Sequence, residues 1–169
     1  MTHLTELNDL SEEDFVQLAG NLVENASWIV KSAANDRPFV SIDAMCEAIE
    51  NVIRSLPEHE LVSFFNAHPE LAGMEAQEGT MTEASTGEQG RLGLLSLQKD
   101  QLSKLKSMNV EYRERFGFPF IIALRLQASL LTVFDEFEQR LTNSRELEVE
   151  NATREIMQVV QGRAEQFEE

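Results

Sequence analysis

The segment Phe116-Gly117-Phe118-Pro119-Phe120-Ile121-Ile122 separates an all-helical chain from a mixed one. It is the one strongly apolar run bounded by breakers, and its pattern alone suits a short buried strand. A strand must pair its backbone N–H and C=O groups, and the sequence offers no second strand to pair with. The run is therefore read as a buried extended link leading into a helix.

Outward from that link the chain reads as helix almost throughout. Upstream, a long helix is expected from about Ser85 through Leu92, Leu95, Leu102 and Leu105 towards Tyr112. Gly87, Gly90 and Gly93 weaken its start by roughly 1 kcal/mol each, or else admit a close backbone or ligand. Residues 73–83 lose periodicity and read as a loop. Before them, Leu61, Phe64 and Phe65 lie on a helix that follows Pro57 and ends near His68-Pro69. The cleanest amphipathic pattern is Met45, Ala48, Ile49, Val52, Ile53 and Leu56, opened by Ser41. Ser11 caps a first helix carrying Phe15, Leu18, Ala19, Leu22 and Val23, and Trp28-Ile29 mark a continuation or a second short helix. Downstream of the link, Leu130, Phe134, Phe137 and Leu141 keep helical spacing. Ser144 caps a last helix with the stripe Val149, Ala152, Ile156, Val159, Val160, Arg163 and Phe167. An all-α bundle of about seven to nine helices follows, read as one domain over residues 1–169 with residues 1–10 as a flexible N-terminal segment.

Composition excludes several classes of function. At 169 residues with 42% hydrophobic and 26% charged side chains, the chain has the makeup of a globular domain with a substantial core. A formal net charge of −16 repels nucleic acid and anionic membranes, so neither is expected as a partner. Cys46 is the single cysteine, so no internal disulfide forms, and its place beside an apolar stripe suits an inert thiol. No apolar run reaches membrane-spanning length and no charged-then-apolar leader is present, so a cytoplasmic address is expected.

Three titratable positions break the apolar pattern. Arg163 falls on the apolar stripe of the last helix, where a guanidinium needs an anion: a ligand, an internal carboxylate, or an escape past Phe167 to water. Glu88 lies four residues before Leu92 and so faces inward on a regular helix, although Ser85-Thr86-Gly87-Glu88 also fits a capping box. His68 stands where a helix should end, before a proline, and histidine is the side chain best matched to proton exchange near neutrality. His3 and His59 share no metal-ligand spacing with it, so no metal site is expected. A histidine and a carboxylate at facing helix ends, with hydroxyls and amides beside them, suit proton transfer on a small polar molecule. The plainer alternative is a helix–loop–helix connection whose polar residues cap and solvate.

The order of three motifs carries a resemblance. His68-Pro69-Glu70-Leu71-Ala72-Gly73, then Thr82-Glu83-Ala84-Ser85-Thr86-Gly87-Glu88-Gln89, then Phe116-Gly117-Phe118-Pro119-Phe120-Ile121 resemble the OHCU decarboxylases. That family acts on 2-oxo-4-hydroxy-4-carboxy-5-ureidoimidazoline (OHCU) in urate degradation. Trp28-Ile29, Arg37-Pro38-Phe39 and Arg140-Leu141-Thr142-Asn143 with Glu146 extend the likeness, which covers nearly the whole chain from Ser11 to Phe167. It implies an all-helical fold, no cofactor, release of CO2 to give (S)-allantoin, and a homodimer as in many members. By position, His68 matches the family's catalytic acid with Glu88 beside it. Pro69, the run Ser85, Thr86, Gly87, Glu88 and Gln89, the backbone of Phe120, Ile121, Ile122, Ala123 and Leu124, and Arg163 match substrate-contacting positions. Met74 stands where a basic residue is common, and Gly87 where bulkier residues are usual.

The resemblance implies roles that the residue types can fill. Losing CO2 leaves an electron pair that the conjugated ring accepts, so the protein must orient the carboxylate, exclude water and deliver one proton. His68 held by Glu88 is the expected donor, with Arg163 and Gln89 on the ring and ureido oxygens and amides near Phe120 completing the clamp. Two rivals remain at this point. One is a decarboxylase or tautomerase of another heterocycle. The other is a non-catalytic helical interaction module, which requires Phe64, Phe65 and the residue 116–120 aromatics to form an exposed surface.

Overall fold

The structure is a computed structural model that describes residues 2–168. Ten α-helices occur among the described residues, somewhat more than expected: α1 (Leu4–Asp9), α2 (Glu12–Ala19), α3 (Ser27–Ala33), α4 (Ile42–Arg54), α5 (Glu58–Asn66), α6 (Met74–Glu78), α7 (Glu83–Arg91), α8 (Lys99–Phe116), α9 (Leu130–Arg140) and α10 (Arg145–Ala164). The only strands among these residues are β1 (Thr2–His3) and β2 (Phe167–Glu168), paired in parallel. The fold is all-α, and no described helix is long and apolar enough to cross a membrane.

The chain divides into two compact units, one running to Leu61 and resuming at Ile156, the other comprising Val62–Glu155. In the first, Ser11 and Ser41 cap α2 and α4 by accepting from the Asp14 and Ala44 amides. Met45, Ile49 and Ile53 of α4 are buried together with Phe15, Leu22, Ile29 and Val30. Each large apolar side chain so buried contributes roughly 1.5–3 kcal/mol. Residues 2–10, read as a flexible segment, are built into this unit. Leu4 and Leu7 are buried, and the Asn8 carboxamide exchanges two hydrogen bonds with the Phe39 backbone.

In the second unit an aromatic cluster forms the core. The Tyr112 ring lies 4.5 Å from that of Phe116, 5.4 Å from Phe120 and 5.7 Å from Phe137, and Phe120 stacks on Phe137 at 3.8 Å. Gly117 ends α8 with φ +85°, a left-handed turn that glycine adopts without strain. Residues 119–123 then run without regular secondary structure, as the link reading requires. Ser144 opens α10, its hydroxyl accepting from the Leu147 amide.

Three local expectations are corrected. The expected long helix from Ser85 breaks into α7 and α8, separated by a turn in which Gly93 takes φ +75°. That break reverses the register, so Leu94 is buried while Leu95 is 45% exposed. Helix α7 opens one turn earlier than expected, with Thr82 as its cap, accepting from the Ser85 amide at 3.2 Å. Finally, the polar stretch read as a loop contains the short helix α6, closed by Gly79 in a left-handed turn.

Candidate active site

Helix α7 joins the two other segments that the sequence singled out within the second unit. From its last turns, Gln89 reaches the loop after His68: its Oε1 accepts from the Ala72 amide at 2.9 Å, and its Nε2 donates to Glu70 O at 3.2 Å. Two residues on, Arg91 Nη2 donates to the carbonyls of Leu124 and Gln127. One helix thus holds the His68 loop and the link after Phe120. Gln89 is buried and its amide is committed to the loop, so its geometry is that of a staple.

The loop has further supports. Asn109 Nδ2 donates to Leu71 O at 3.0 Å, and Arg113 bridges Glu70 at 2.9 Å and Asn66 at 2.7 Å. Ala72 takes φ +48°, a left-handed conformation that costs a residue with a Cβ about 1–2 kcal/mol. That strain persists because Gln89 and Asn109 hold the peptides around it.

His68 sits at the head of this loop, half-buried, with its amide donating to Phe65 O. Its Nδ1 lies 3.3 Å from Phe64 O, and its ring meets the Phe64 ring edge-on at 5.2 Å. A carbonyl only accepts, so this bond places a proton on Nδ1 and makes Nε2 the atom that exchanges protons. Pro69 follows, half-buried.

Among the α7 residues, Ser85 is buried, Thr86 and Gly87 are exposed, and Glu88 is half-buried. Because Thr82 is the cap, the capping-box position is Ser85, and Glu88 stands about one turn too deep to close such a box. Apart from its chain neighbours and the backbone of its own helix, no protein atom lies within 4 Å of where a Gly87 Cβ would stand, so no other segment packs there and glycine is not demanded by the fold.

Phe120, Ile121, Ile122, Ala123 and Leu124 are all buried. Three of their backbone groups are held by side chains. Arg140 Nη1 donates to Ile121 O at 2.7 Å, Glu155 Oε2 accepts from the Ala123 amide at 2.8 Å, and Arg91 takes Leu124 O.

Behind the link lies a charged network whose centre, Glu148, none of the sequence motifs includes. Glu148 is 0% exposed and accepts from Arg140 Nε at 2.9 Å, Asn143 at 2.8 Å, Asn151 at 2.7 Å and the Tyr112 hydroxyl. Burial would raise the Glu148 pKa, but Arg140 and the amide donors outweigh it and hold the carboxyl below its ordinary 4.5. Burial pushes the Tyr112 phenol well above its ordinary 10.0, with Arg140 opposing and Glu148 assisting. A signal for this network was present. Glu148, Ala152, Ile156 and Val160 fall at four-residue spacing on one buried stripe, and Arg140 follows Val133 and Phe137 on another. Glu148 and Arg140 are thus charges on apolar stripes, as Arg163 is.

Arg163 belongs to the first unit. There its Nη1 pairs with Glu24 Oε2 at 2.8 Å and donates to Asn21 O at 3.0 Å. The internal carboxylate considered for it is therefore present. Among the described residues no cluster of three or more histidine, cysteine, aspartate or glutamate side chains is placed to hold a metal. Cys46 is buried, and burial with Asp43 nearby pushes its thiol up to about 11, which makes it a poor nucleophile.

The model of the OHCU decarboxylase family matches residues 8–165. This chain belongs to that family. The 2-oxo-4-hydroxy-4-carboxy-5-ureidoimidazoline decarboxylase of Mus musculus is 35% identical over 92% of this chain and 87% of its own length. The protein of the same name from Halalkalicoccus jeotgali is 32% identical over 99% of this chain and 93% of its own. The crystal structure of an (S)-allantoin synthase superposes with a TM-score of 0.76 at 18% identity. It covers 98% of this chain and 53% of that one, which establishes a shared fold. The interaction-module rival loses its surface, since Phe64, Phe65, Phe116, Phe118 and Phe120 are all buried.

Proposed function

We propose that this OHCU decarboxylase family member removes CO2 from OHCU in urate degradation, with His68 as the proton donor. The observation that carries the site assignment is the double anchorage of α7, which ties the His68 loop through Gln89 and the residue 120–124 link through Arg91. Catalysis of this kind depends on holding reacting groups in register. The C–C bond to the carboxylate breaks, CO2 leaves, and the electron pair is taken into the conjugated ring. His68 Nε2–H then delivers a proton to the neighbouring ring carbon that bears the ureido group, while the hydroxyl carbon becomes the ring carbonyl and its O–H proton passes to the ring nitrogen, yielding (S)-allantoin. Glu88 orients the imidazole. Pro69, Ser85, Thr86 and Gly87 border the ligand, and backbone groups of Phe120 to Leu124 grip its ring and ureido group. Support comes from the family membership, from the tautomer set by Phe64 O, and from the open space beside Gly87. The resemblance also assigns Arg163 to the substrate, a homodimer to the assembly and a cytoplasmic address, and each is carried as part of the same proposal.

The deciding experiment supplies freshly generated OHCU and follows (S)-allantoin by its circular dichroism. Wild type should accelerate its formation, and His68→Asn should abolish the acceleration while keeping wild-type helicity and melting cooperativity. Turnover by His68→Asn within a few-fold of wild type removes the histidine from the chemistry. A wild-type protein that leaves OHCU untouched but processes another heterocycle favours the related decarboxylase or tautomerase reading.

A further inference from the structure

Ile122 is buried, yet among the described residues neither its N–H nor its C=O has a hydrogen-bond partner. A buried backbone group left unpaired is costly, so two on one residue point to an outside partner. The peptide groups on either side are held. Ile121 O and the Ile122 N–H belong to one peptide unit, and Arg140 takes the oxygen at 2.7 Å. Ile122 O and the Ala123 N–H belong to the next, and Glu155 takes that N–H at 2.8 Å. A trans peptide sends its C=O and N–H in opposite directions. Arg140 and Glu155 therefore turn the Ile122 donor and acceptor away from themselves.

We infer that Arg140 and Glu155 are positioning residues. They fix the two peptide planes that flank Ile122, so that its N–H and C=O offer a donor–acceptor pair to the HN–C=O group of a ureide or lactam. The inference rests on reading residues 120–124 as the substrate's backbone clamp. Arg140 is itself immobilised: Glu148 takes its Nε at 2.9 Å, and its guanidinium lies over the Phe120 ring at 4.4 Å. The Glu148 network thus keeps the arginine that orients Ile121 O from turning. Its oxygens and donors are arranged for rigidity, and the beneficiary is a peptide plane.

The test uses the whole protein with (S)-allantoin as probe for binding and fresh OHCU for turnover. In wild type the Ile122 amide resonance should shift on titration with allantoin. Glu155→Leu, which removes the acceptor for Ala123, should raise KM about tenfold with kcat within about threefold, the pattern of lost binding. Glu155→Gln keeps an oxygen there and should restore KM. Arg140→Lys keeps the charge beside Glu148 but cannot span to Ile121 O, and should raise KM similarly while its cooperative melt persists. If Arg140→Lys fails to fold, the Glu155 pair decides. A merely structural role predicts lowered melting temperatures with unchanged KM in the folded variants, and that result overturns the inference. An Ile122 amide that ignores allantoin in wild type overturns the clamp reading itself. An amide that shifts while both variants keep wild-type KM overturns only the positioning role.

Discussion

Gln89→Met is the perturbation that most directly tests the staple. Methionine fills nearly the same volume but makes no comparable hydrogen bonds. The change strands the Ala72 N–H, which now donates at 2.9 Å, and Glu70 O, which now accepts at 3.2 Å. Ala72 is buried, so water cannot readily replace the lost acceptor. A stranded buried group costs about 1–3 kcal/mol, and Glu70 O lies nearer the surface, so the sum should be about 2–4 kcal/mol. Asn109 and Arg113 still hold the loop, so the fold survives with His68 less well placed. A displacement near 1 Å lowers turnover by about 10²-fold. Urea unfolding followed by circular dichroism gives the stability, and steady-state decarboxylation separates kcat from KM. A staple costs stability and kcat together, whereas a direct ligand contact raises KM and leaves stability alone. A variant within about 0.5 kcal/mol of wild type at unchanged m-value, with kcat within twofold, refutes the reasoning.

Glu88→Gln should lower turnover by about 10²-fold or more while costing at most ~0.5 kcal/mol, because Thr82 rather than Glu88 serves the helix end; full activity with an unchanged pH profile removes it from the mechanism. Arg163→Met should cost on the order of 3 kcal/mol by leaving buried Glu24 without this partner. Arg163→Lys should keep most of that stability yet raise KM strongly, and a lysine variant with wild-type KM confines Arg163 to the ion pair. Stability should also fall at both pH extremes. The Glu148 contribution is present above 4.5 and is lost as pH falls through its lower folded value. Above 10.0 the unfolded chain releases the phenol proton that folded Tyr112 retains, so stability drops by up to about 1.4 kcal/mol per pH unit. Tyr112 is the single tyrosine, so Tyr112→Phe should flatten that alkaline limb, and an unchanged slope in urea titrations contradicts its assigned burial.

Most of the helical architecture was legible in the sequence because helix formation and termination are local. Ser11, Ser41 and Ser144 cap as read, the α4 stripe buries as read, and the run beyond Gly117, residues 118–122, is a buried link because no strand pairs with it. His68 and Glu88 stood out for the same reason, as polar residues where a local pattern calls for something else. The failures lie where local preference is weak and distant contacts decide. Around Gly90 and Gly93 helical propensity is too low to carry α7 into α8, so burial of Leu94 sets the turn and the register.

The family and the identities of the candidate residues were thus carried by order and spacing along the chain. The partners of those residues were not. Gln89 is an amide on a helix until Ala72, 17 residues away, brings its N–H to it. Arg140 is one more arginine until burial removes water and leaves Glu148 and Ile121 O to satisfy it. Hydrogen bonds between segments distant in sequence depend on which groups packing deprives of water. The chain supplies the donors and acceptors, and packing, by excluding water, selects which of them must meet.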